Sequence, residues 1–454
     1  MSIVENQPTD LNANIELFQG SITEALDHHC PVRIVTFSTK YKPAPWVDDE
    51  LRKLLYRRKR AHRLLLKQPG DQQRIQSFRA LRRECKITMR RKKANYFQAE
   101  FINNRRNPRR QWSAMNSLLG RTKVSREPGA SIADITSIFS EIVGPLPPTE
   151  TSDALTLASV PDHPSNIPPA LPCGPQSDGT LVSFTRITAG DVKFHLRAMD
   201  SRKASGPDAI PPLVYKLVSD QIAPTLASLL SISLETGEFP TPYKLAHVRP
   251  IHKRGDVSDP RNYRPISLLP LMSKLLERCA LEQLTQYMDS ASHMESLPAV
   301  QFAYRKNHSC DDLLALVAND WSQSLDQNEY VAAAFLDMSK AFDTVNHSLL
   351  LQELFEIGVG GVALRWFASY LTDRQQRVVT KSSRGACYSA SRGVPQGSIL
   401  GPVLFNLAVR KLPECVASTK VRQFADDVSV YKSGRDPQKL TADLARDVLS
   451  IRNF

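Results

Sequence analysis

An adjacent pair of acids inside an apolar frame constrains this chain more than any other feature. Asp426 and Asp427 stand in Arg422-Gln-Phe-Ala-Asp-Asp-Val-Ser-Val-Tyr431. An isolated Asp-Asp dipeptide is most often a surface turn, but a surface turn needs no Phe424, Ala425, Val428 and Val430 around it. The pattern predicts two strands joined at the acids. Two carboxylates drawn out of water are unfavourable unless a cation compensates them. Hard oxygen ligands at a strand turn suit Mg²⁺. A third carboxylate, Asp337, ends another apolar run, Tyr330-Val-Ala-Ala-Ala-Phe-Leu-Asp337, which reads as a buried strand over 329–337. If the fold brings the three together, they make the metal site that two-metal phosphoryl transfer requires.

The charge is as uneven as the acids are local. The net charge is +13, yet residues 51–110 hold 21 Lys/Arg against Asp71, Glu84 and Glu100, which is 21 − 3 = +18. A basic block beside a near-neutral remainder predicts a nucleic-acid partner, with a solvated helix face as the ordinary alternative. The seven cysteines are odd in number and scattered, with no Cys-x-x-Cys pair. They predict neither a disulfide framework nor a zinc finger, and they fit a reducing, intracellular setting in cytoplasm and nucleus. No apolar run reaches membrane-spanning length, so no membrane partner is expected. Met1-Ser-Ile-Val-Glu-Asn-Gln7 is polar and is no secretion signal.

Periodicity and punctuation give an order of elements. One amphipathic helix fits residues 12–30, and long basic helices fit 47–119 with a turn at Pro69-Gly70. Residues 145–175 hold nine prolines and read as a disordered linker. Thr188-Ala-Gly-Asp191 resembles a capping box. Helices are expected over 213–234, 266–289, 347–357 and 361–371, and strands over 245–251, 377–380 and 388–392. Gly393-Val-Pro-Gln-Gly397 reads as a loop, after which Ser398 can cap a helix running to Leu407.

Phe335-Leu-Asp337-Met-Ser-Lys-Ala-Phe-Asp343-Thr-Val, Gly393-Val-Pro-Gln-Gly-Ser-Ile-Leu-Gly-Pro402 and Phe424-Ala-Asp-Asp427 resemble successive palm motifs of reverse transcriptases. Lys203-Ala-Ser-Gly-Pro-Asp208 and Asn262-Tyr-Arg-Pro-Ile-Ser-Leu268 resemble upstream segments of non-LTR, LINE-like or jockey-like retrotransposon polymerases. The likeness runs from about 186 to 431 in the family's order and spacing. Pro45-Trp46 and the basic helices resemble, more weakly, the segment that follows the endonuclease of such proteins.

The resemblance implies an α+β fold: right-hand fingers and palm, an antiparallel palm sheet backed by helices, and a basic helical region in front. It implies residues 1–125 as that basic region, 126–185 as a Pro-rich linker, 186–231 as an N-terminal extension and 232–454 as the reverse transcriptase domain. The short stretch after Asp427 predicts that the thumb is missing. The implied activity is RNA-directed DNA synthesis from dNTPs onto a primer 3′-hydroxyl, with an RNA template and a DNA primer or target as partners. The implied cofactor is a pair of Mg²⁺ ions, with Mn²⁺ as a substitute. Asp337 and Asp426 would ligate directly, with Asp427 as an additional carboxylate. Backbone N–H groups of Met338, Ser339, Lys340, Ala341 and Phe342 would cradle the triphosphate. Phe342 would pack under the sugar and exclude a 2′-hydroxyl; without the motif it reads as a core aromatic. Pro395, Gln396 and Gly397 would line the nucleotide pocket, and Lys253 and Arg264 would reach triphosphate or template. Asp343 is expected to cap or pair locally, and Asp208 to fix its loop. The family's glycine between Gln301-Phe302 and Tyr304-Arg305 is Ala303 here, which predicts a shifted turn. A second reading, a nucleic-acid-binding remnant without catalysis, follows from the expected loss of the thumb. A third, an RNA-dependent RNA polymerase, is opposed by Phe342.

Overall fold

The computed structural model describes residues 10–31, 44–105, 107–119, 127–145, 180–290 and 296–454. It divides into two compact units, one of Met1–Pro31 with Glu127–Phe454 and one of Val32–Arg126.

The first helix, α1 (Leu11–His29), buries Leu11, Ile15 and Phe18 and belongs to the larger unit. One region was expected over 1–125; the contact grouping instead puts this helix with the larger unit.

In the smaller unit α2 (Asp49–Lys67) and α3 (Gln72–Asn103) form a hairpin, followed by α4 (Pro108–Leu118). Asp48 and Asp71 cap α2 and α3 by accepting backbone N–H groups, and Pro69-Gly70 falls in the turn between them. Buried apolar side chains are few: Leu51, Leu54, Cys85 and Phe97. Arg57, Arg60, Arg82, Arg83, Arg90 and Arg91 stay exposed. The expected basic helices are therefore present, with their charge facing water.

The larger unit resumes with α5 (Ile132–Val143), inside the stretch expected to be linker. Ser131 caps it, and Ile135, Phe139, Ile142 and Val143 repeat at helical spacing and bury against a sheet. The prolines that suggested disorder begin only at Pro145, and residues 146–179 lie outside the described residues. Next come α6 (Ala189–Ala198), started by the expected Thr188/Asp191 capping box, α7 (Pro212–Leu217) and α8 (Ser219–Thr236). One helix was expected over 213–234, but the chain breaks at Val218.

Strand β1 (Leu245–His252) pairs antiparallel with β2 (Tyr263–Leu268), and α9 (Leu271–Met288) follows. The helix expected from 266 begins five residues later. Pro265 and Pro270 break any helix there, and β1 offers a free edge to 263–268. After α10 (Cys310–Asp326) come β3 (Tyr330–Asp337), α11 (Ala341–Thr344), α12 (His347–Glu356) and α13 (Gly361–Leu371). Then β4 (Arg374–Val379) and β5 (Arg384–Ala390) start earlier than the apolar residues suggested. The chain closes with α14 (Gly401–Ala408), β6 (Lys420–Phe424), β7 (Asp427–Gly434) and α15 (Pro437–Arg452).

The result mixes helix and sheet, as expected. One sheet has the order β2-β1-β4-β5, with β1 and β4 parallel and the other pairs antiparallel. The other is antiparallel throughout, in the order β3-β7-β6. The strand over 330–337 is an edge strand, not a buried one: Phe335 is 71% exposed and Tyr330 60%. Only its alternate residues face the core, where Leu336 meets Val421, Val428, Val430 and Ile451 of α15. The main core gathers α8, α9, α12, α13 and α14 around the fully buried Trp366, Phe367, Tyr370 and Phe405. Each such ring contributes roughly 2–3 kcal/mol by leaving water. The helices thus make a stiff backing for the loops at the ends of both sheets.

Candidate active site

The acids collect at one end of the β3-β7-β6 sheet. Phe424 pairs with Asp427, so Ala425 and Asp426 form the two-residue turn of the β6–β7 hairpin. Ala425 has φ 56°, a left-handed value that glycine adopts more cheaply. Its strain is offset by a buried partner. Gln301, with no exposed surface, accepts the Ala425 N–H through Oε1 at 3.1 Å and the Ala303 N–H at 3.0 Å. Ala303 lies in the core with its φ outside the left-handed region; that conformation falls on Tyr304, at φ 57°. Arg305 donates to the carbonyls of Pro298 and Gln301, closing the same turn.

Asp337 and Asp427 are direct cross-strand partners in the antiparallel β3–β7 pair, so they share one face of the sheet. Opposed side chains of this kind have Cβ atoms about 4.5–5.5 Å apart, and like charges so placed repel. Both residues are exposed, while Asp426 is half-buried, with its carbonyl 3.5 Å from the Met338 N–H. The Tyr304 phenol is pushed up, first by burial and then by the Asp426 charge, so these two side chains are neighbours. Among the described residues no lysine or arginine forms an ion pair with Asp337, Asp426 or Asp427. This concentration of uncompensated carboxylates suits a hard divalent cation. Among the described residues no group of three His, Cys, Asp or Glu is drawn close enough to cage one. The structure brings Asp337 against Asp427, the carboxylate expected to be additional, and leaves Asp426 beside them in the turn.

Beyond Asp337 the chain bends through Lys340, at φ 54°, into α11. Met338, Ser339 and Lys340 follow the strand end directly, and Ala341 is buried. Phe342 stacks on Phe405 with centroids 4.5 Å apart and meets Tyr304 edge-on at 6.3 Å. It is half-buried, with one face held by the core.

The loop Gly393–Gly397 is laced to α11 and β2. The Val143 carbonyl at the end of α5 accepts the Ser391 and Arg392 N–H groups just before it. Gly393, at φ 84°, lies so close that a Cβ would sit 2.5 Å from the Asp343 carbonyl oxygen. The Val394 N–H donates to the Phe342 carbonyl at 2.7 Å, and His347 Nε2 lies 2.8 Å from the Gly393 carbonyl oxygen. Pro395 is buried. The Gln396 carbonyl accepts the Ser267 N–H of β2 at 2.8 Å, and its Nε2 donates to Asp343 Oδ2 at 2.6 Å. At Gly397, φ 120°, a Cβ would strike the Ser267 carbonyl oxygen. Ser398 accepts the Gly401 N–H, close to its expected capping role. Glu277 of α9, fully buried, accepts the Ile399 and Leu400 N–H groups at 2.7 and 3.3 Å and the Ser273 hydroxyl at 3.0 Å.

Burial pushes Asp343 up to about 7, against the opposing pull of Gln396, Lys340 and Lys253. Lys253 is exposed just past β1, within electrostatic reach of Asp343 and Lys340. Arg264, exposed on β2 opposite Ile251, has no ion-pair partner among the described residues. Asp208 sits in its loop beside Ala209, at φ 55°, and burial pushes it up to about 6. Sequence reasoning missed Gln301, Glu277 and His347 as supports. Glu277 left a signal: a lone acid on the helical face of Met272, Leu275, Leu276, Cys279 and Ala280.

Residues 251–451 match the family described as reverse transcriptase (RNA-dependent DNA polymerase). The chain is 30% identical over 269 residues to the RNA-directed DNA polymerase from mobile element jockey of Drosophila melanogaster, covering 58% of this chain and 29% of that protein. It is 33% identical over 222 residues to the probable RNA-directed DNA polymerase from transposon BS of the same species, covering 48% and 24%. A third relative there, the probable RNA-directed DNA polymerase from transposon X-element, is 32% identical over 239 residues, covering 51% and 26%. The chain spans less than a third of the length of these relatives. The likeness to LINE-like, non-LTR polymerases read from the motifs is borne out, and each candidate residue from Lys253 to Asp427 lies inside the matched segment.

Proposed function

Taking residues 251–451 as a domain of the reverse transcriptase family, we propose that this chain carries the catalytic centre of an RNA-directed DNA polymerase of a non-LTR retrotransposon. The observation that carries the reading is the Asp337–Asp427 cross-strand pair with Asp426 in the adjoining turn, with no Lys or Arg ion pair to them among the described residues. The β3-β7-β6 sheet acts as the palm, and the β1–β2 hairpin with Lys253 and Arg264 as part of the fingers. Asp337, Asp426 and Asp427 would hold Mg²⁺, which when bound would neutralise phosphate charge and ease ionisation of the primer 3′-hydroxyl. That hydroxyl attacks the α-phosphorus of a dNTP, and pyrophosphate leaves in line. The protein's share is orientation and charge. Lys253, Lys340 and Arg264 supply positive charge for the triphosphate, and Gln396 lines the pocket. Phe342 is braced by Phe405, so its ring cannot retreat from a 2′-hydroxyl. The exposed cations of α2 and α3 bind nucleic acid phosphates. Among the described residues no helix is long and apolar enough to cross a membrane.

The test is primer extension on an RNA template with dNTPs competing against rNTPs. Wild type incorporates dNTPs preferentially, and Phe342→Ala relaxes the preference by about tenfold or more, as expected from removing a steric clash of 1–3 kcal/mol. Unchanged discrimination in Phe342→Ala would remove this residue from the sugar site.

A further inference from the structure

Gln396 sits on a loop and has three side-chain torsions, yet a nucleotide pocket needs its amide in one orientation. The backbone on either side is fixed: its carbonyl takes the Ser267 N–H, and Gly397 tolerates no Cβ. Among the described residues, the far end of the side chain has a single polar anchor, Asp343, with Nε2 to Oδ2 at 2.6 Å. Asp343 is itself closely packed. It is 6% exposed in α11, its N–H donates to the Lys340 carbonyl, and Gly393 packs directly on its backbone.

We propose that Asp343 is a positioning residue for nucleotide selection, whose carboxylate takes one Gln396 amide hydrogen and turns Oε1 and the remaining N–H of Gln396 toward the incoming nucleotide. The inference rests on the reading of Gln396 as a pocket residue. A buried carboxylate is an expensive way to fill this space, because a neutral side chain would cap α11 or fill the gap without desolvating a charge. An acceptor-only group does what Asn or Ser would not: it accepts from the amide nitrogen and cannot donate to the amide oxygen, so the flipped orientation is disfavoured. Protonation would remove that selectivity, since a carboxylic acid can also donate. The groups facing Asp343 are Lys340 at the start of α11, Lys253 beyond β1, Tyr388 of β5 and Gln396 itself. Glu141 of α5 and Arg261 act on Lys340. Burial leaves Asp343 titrating at about 7, so the orientation is sharpest above neutrality.

Two measurements on the full chain test this. In protein labelled with nitrogen-15 at glutamine, the Gln396 side-chain signal is identified by its loss in Gln396→Ala. It should shift with a midpoint near 7 in wild type and stay constant with pH in Asp343→Asn. In primer extension, Asp343→Leu should raise the dNTP KM about tenfold or more, the size of one lost charged hydrogen bond, with kcat within about threefold. Asp343→Asn, which keeps a carbonyl oxygen but can also donate to the amide oxygen and so admits the flipped orientation, should recover only part of the loss. A Gln396 signal indifferent to pH in wild type overturns the proposal, as does a wild-type dNTP KM in Asp343→Leu. A wild-type chain inert in primer extension would count against the polymerase reading alone and leave the amide titration to decide the Asp343 pair.

Discussion

Asp447 of α15 offers a stability prediction with a worked magnitude. Its carboxylate, 1% exposed, accepts the N–H groups of Ser418 and Thr419, each at 2.9 Å, and of Ala417 at 3.3 Å. It also accepts the hydroxyls of Thr419 at 2.8 Å and Ser418 at 3.2 Å. Burial alone would raise its pKa; the donors outweigh burial and hold it at about 2, below the usual 3.8. At about 1.4 kcal/mol per pKa unit, that depression is worth roughly 2 kcal/mol of stability at neutral pH. The sign follows from a depressed folded pKa: the contribution is complete above 3.8 and disappears as pH falls through about 2. Asp447→Asn should therefore unfold more easily by roughly 2 kcal/mol in urea at pH 7, and the gap should close near pH 2. The consequence reaches the site, because residues 417–419 lead into β6, whose far end carries the Asp426 turn. A variant within about 0.5 kcal/mol of wild type at pH 7, or a gap that persists in acid, would refute the reasoning.

Glu277→Leu should strand the Ile399 and Leu400 N–H groups and cost about 2–4 kcal/mol in urea unfolding, while Glu277→Gln should lose less; equal losses would deny the carboxylate its anchoring role. Gln301→Ala should free the Ala425 and Ala303 N–H groups and speed hydrogen exchange at Ala425, whereas unchanged exchange would mean that another group holds the turn. Asp208 has a raised folded pKa, so its contribution is present below the ordinary value and lost as pH rises through about 6. Asp208→Asn should flatten the fall in stability between about pH 4 and 7, and an unchanged pH profile would contradict it. RNA affinity of the full chain should drop at least about tenfold between 50 and 200 mM salt if the α2–α3 cations meet phosphates, and a salt-independent affinity would exclude that contact.

The site was legible where chemistry and strand pattern coincide. Phe424 to Val430 announces a hairpin because its apolar residues flank acids that no surface turn would frame so. Asp337 ends an apolar run that pairs with it register by register. What lay hidden depends on partners distant in sequence. Asp343 reads as a local cap until Gln396 is folded onto it, and Gln301 has no reason to be buried until the Ala425 N–H needs an acceptor. The strand at 263–268 is masked by Pro265, which a sheet tolerates because it occupies the outer strand. The helix α5 is masked by the prolines that follow it, although Ile135, Phe139, Ile142 and Val143 already carry its period. The edge position of β3 is invisible to composition, since an apolar run reads alike in a central strand and in one that leaves Phe335 in water.

The measurement that bears most directly on the central claim is primer extension by Asp426→Asn with Asp427→Asn beside wild type, on one RNA template with Mg²⁺ and dNTPs. Wild type should extend the primer, and the double variant should fall to the level of no enzyme while keeping its folded circular dichroism spectrum and its RNA affinity. Extension at the wild-type rate by the double variant would contradict the assignment of the acidic hairpin as the catalytic centre.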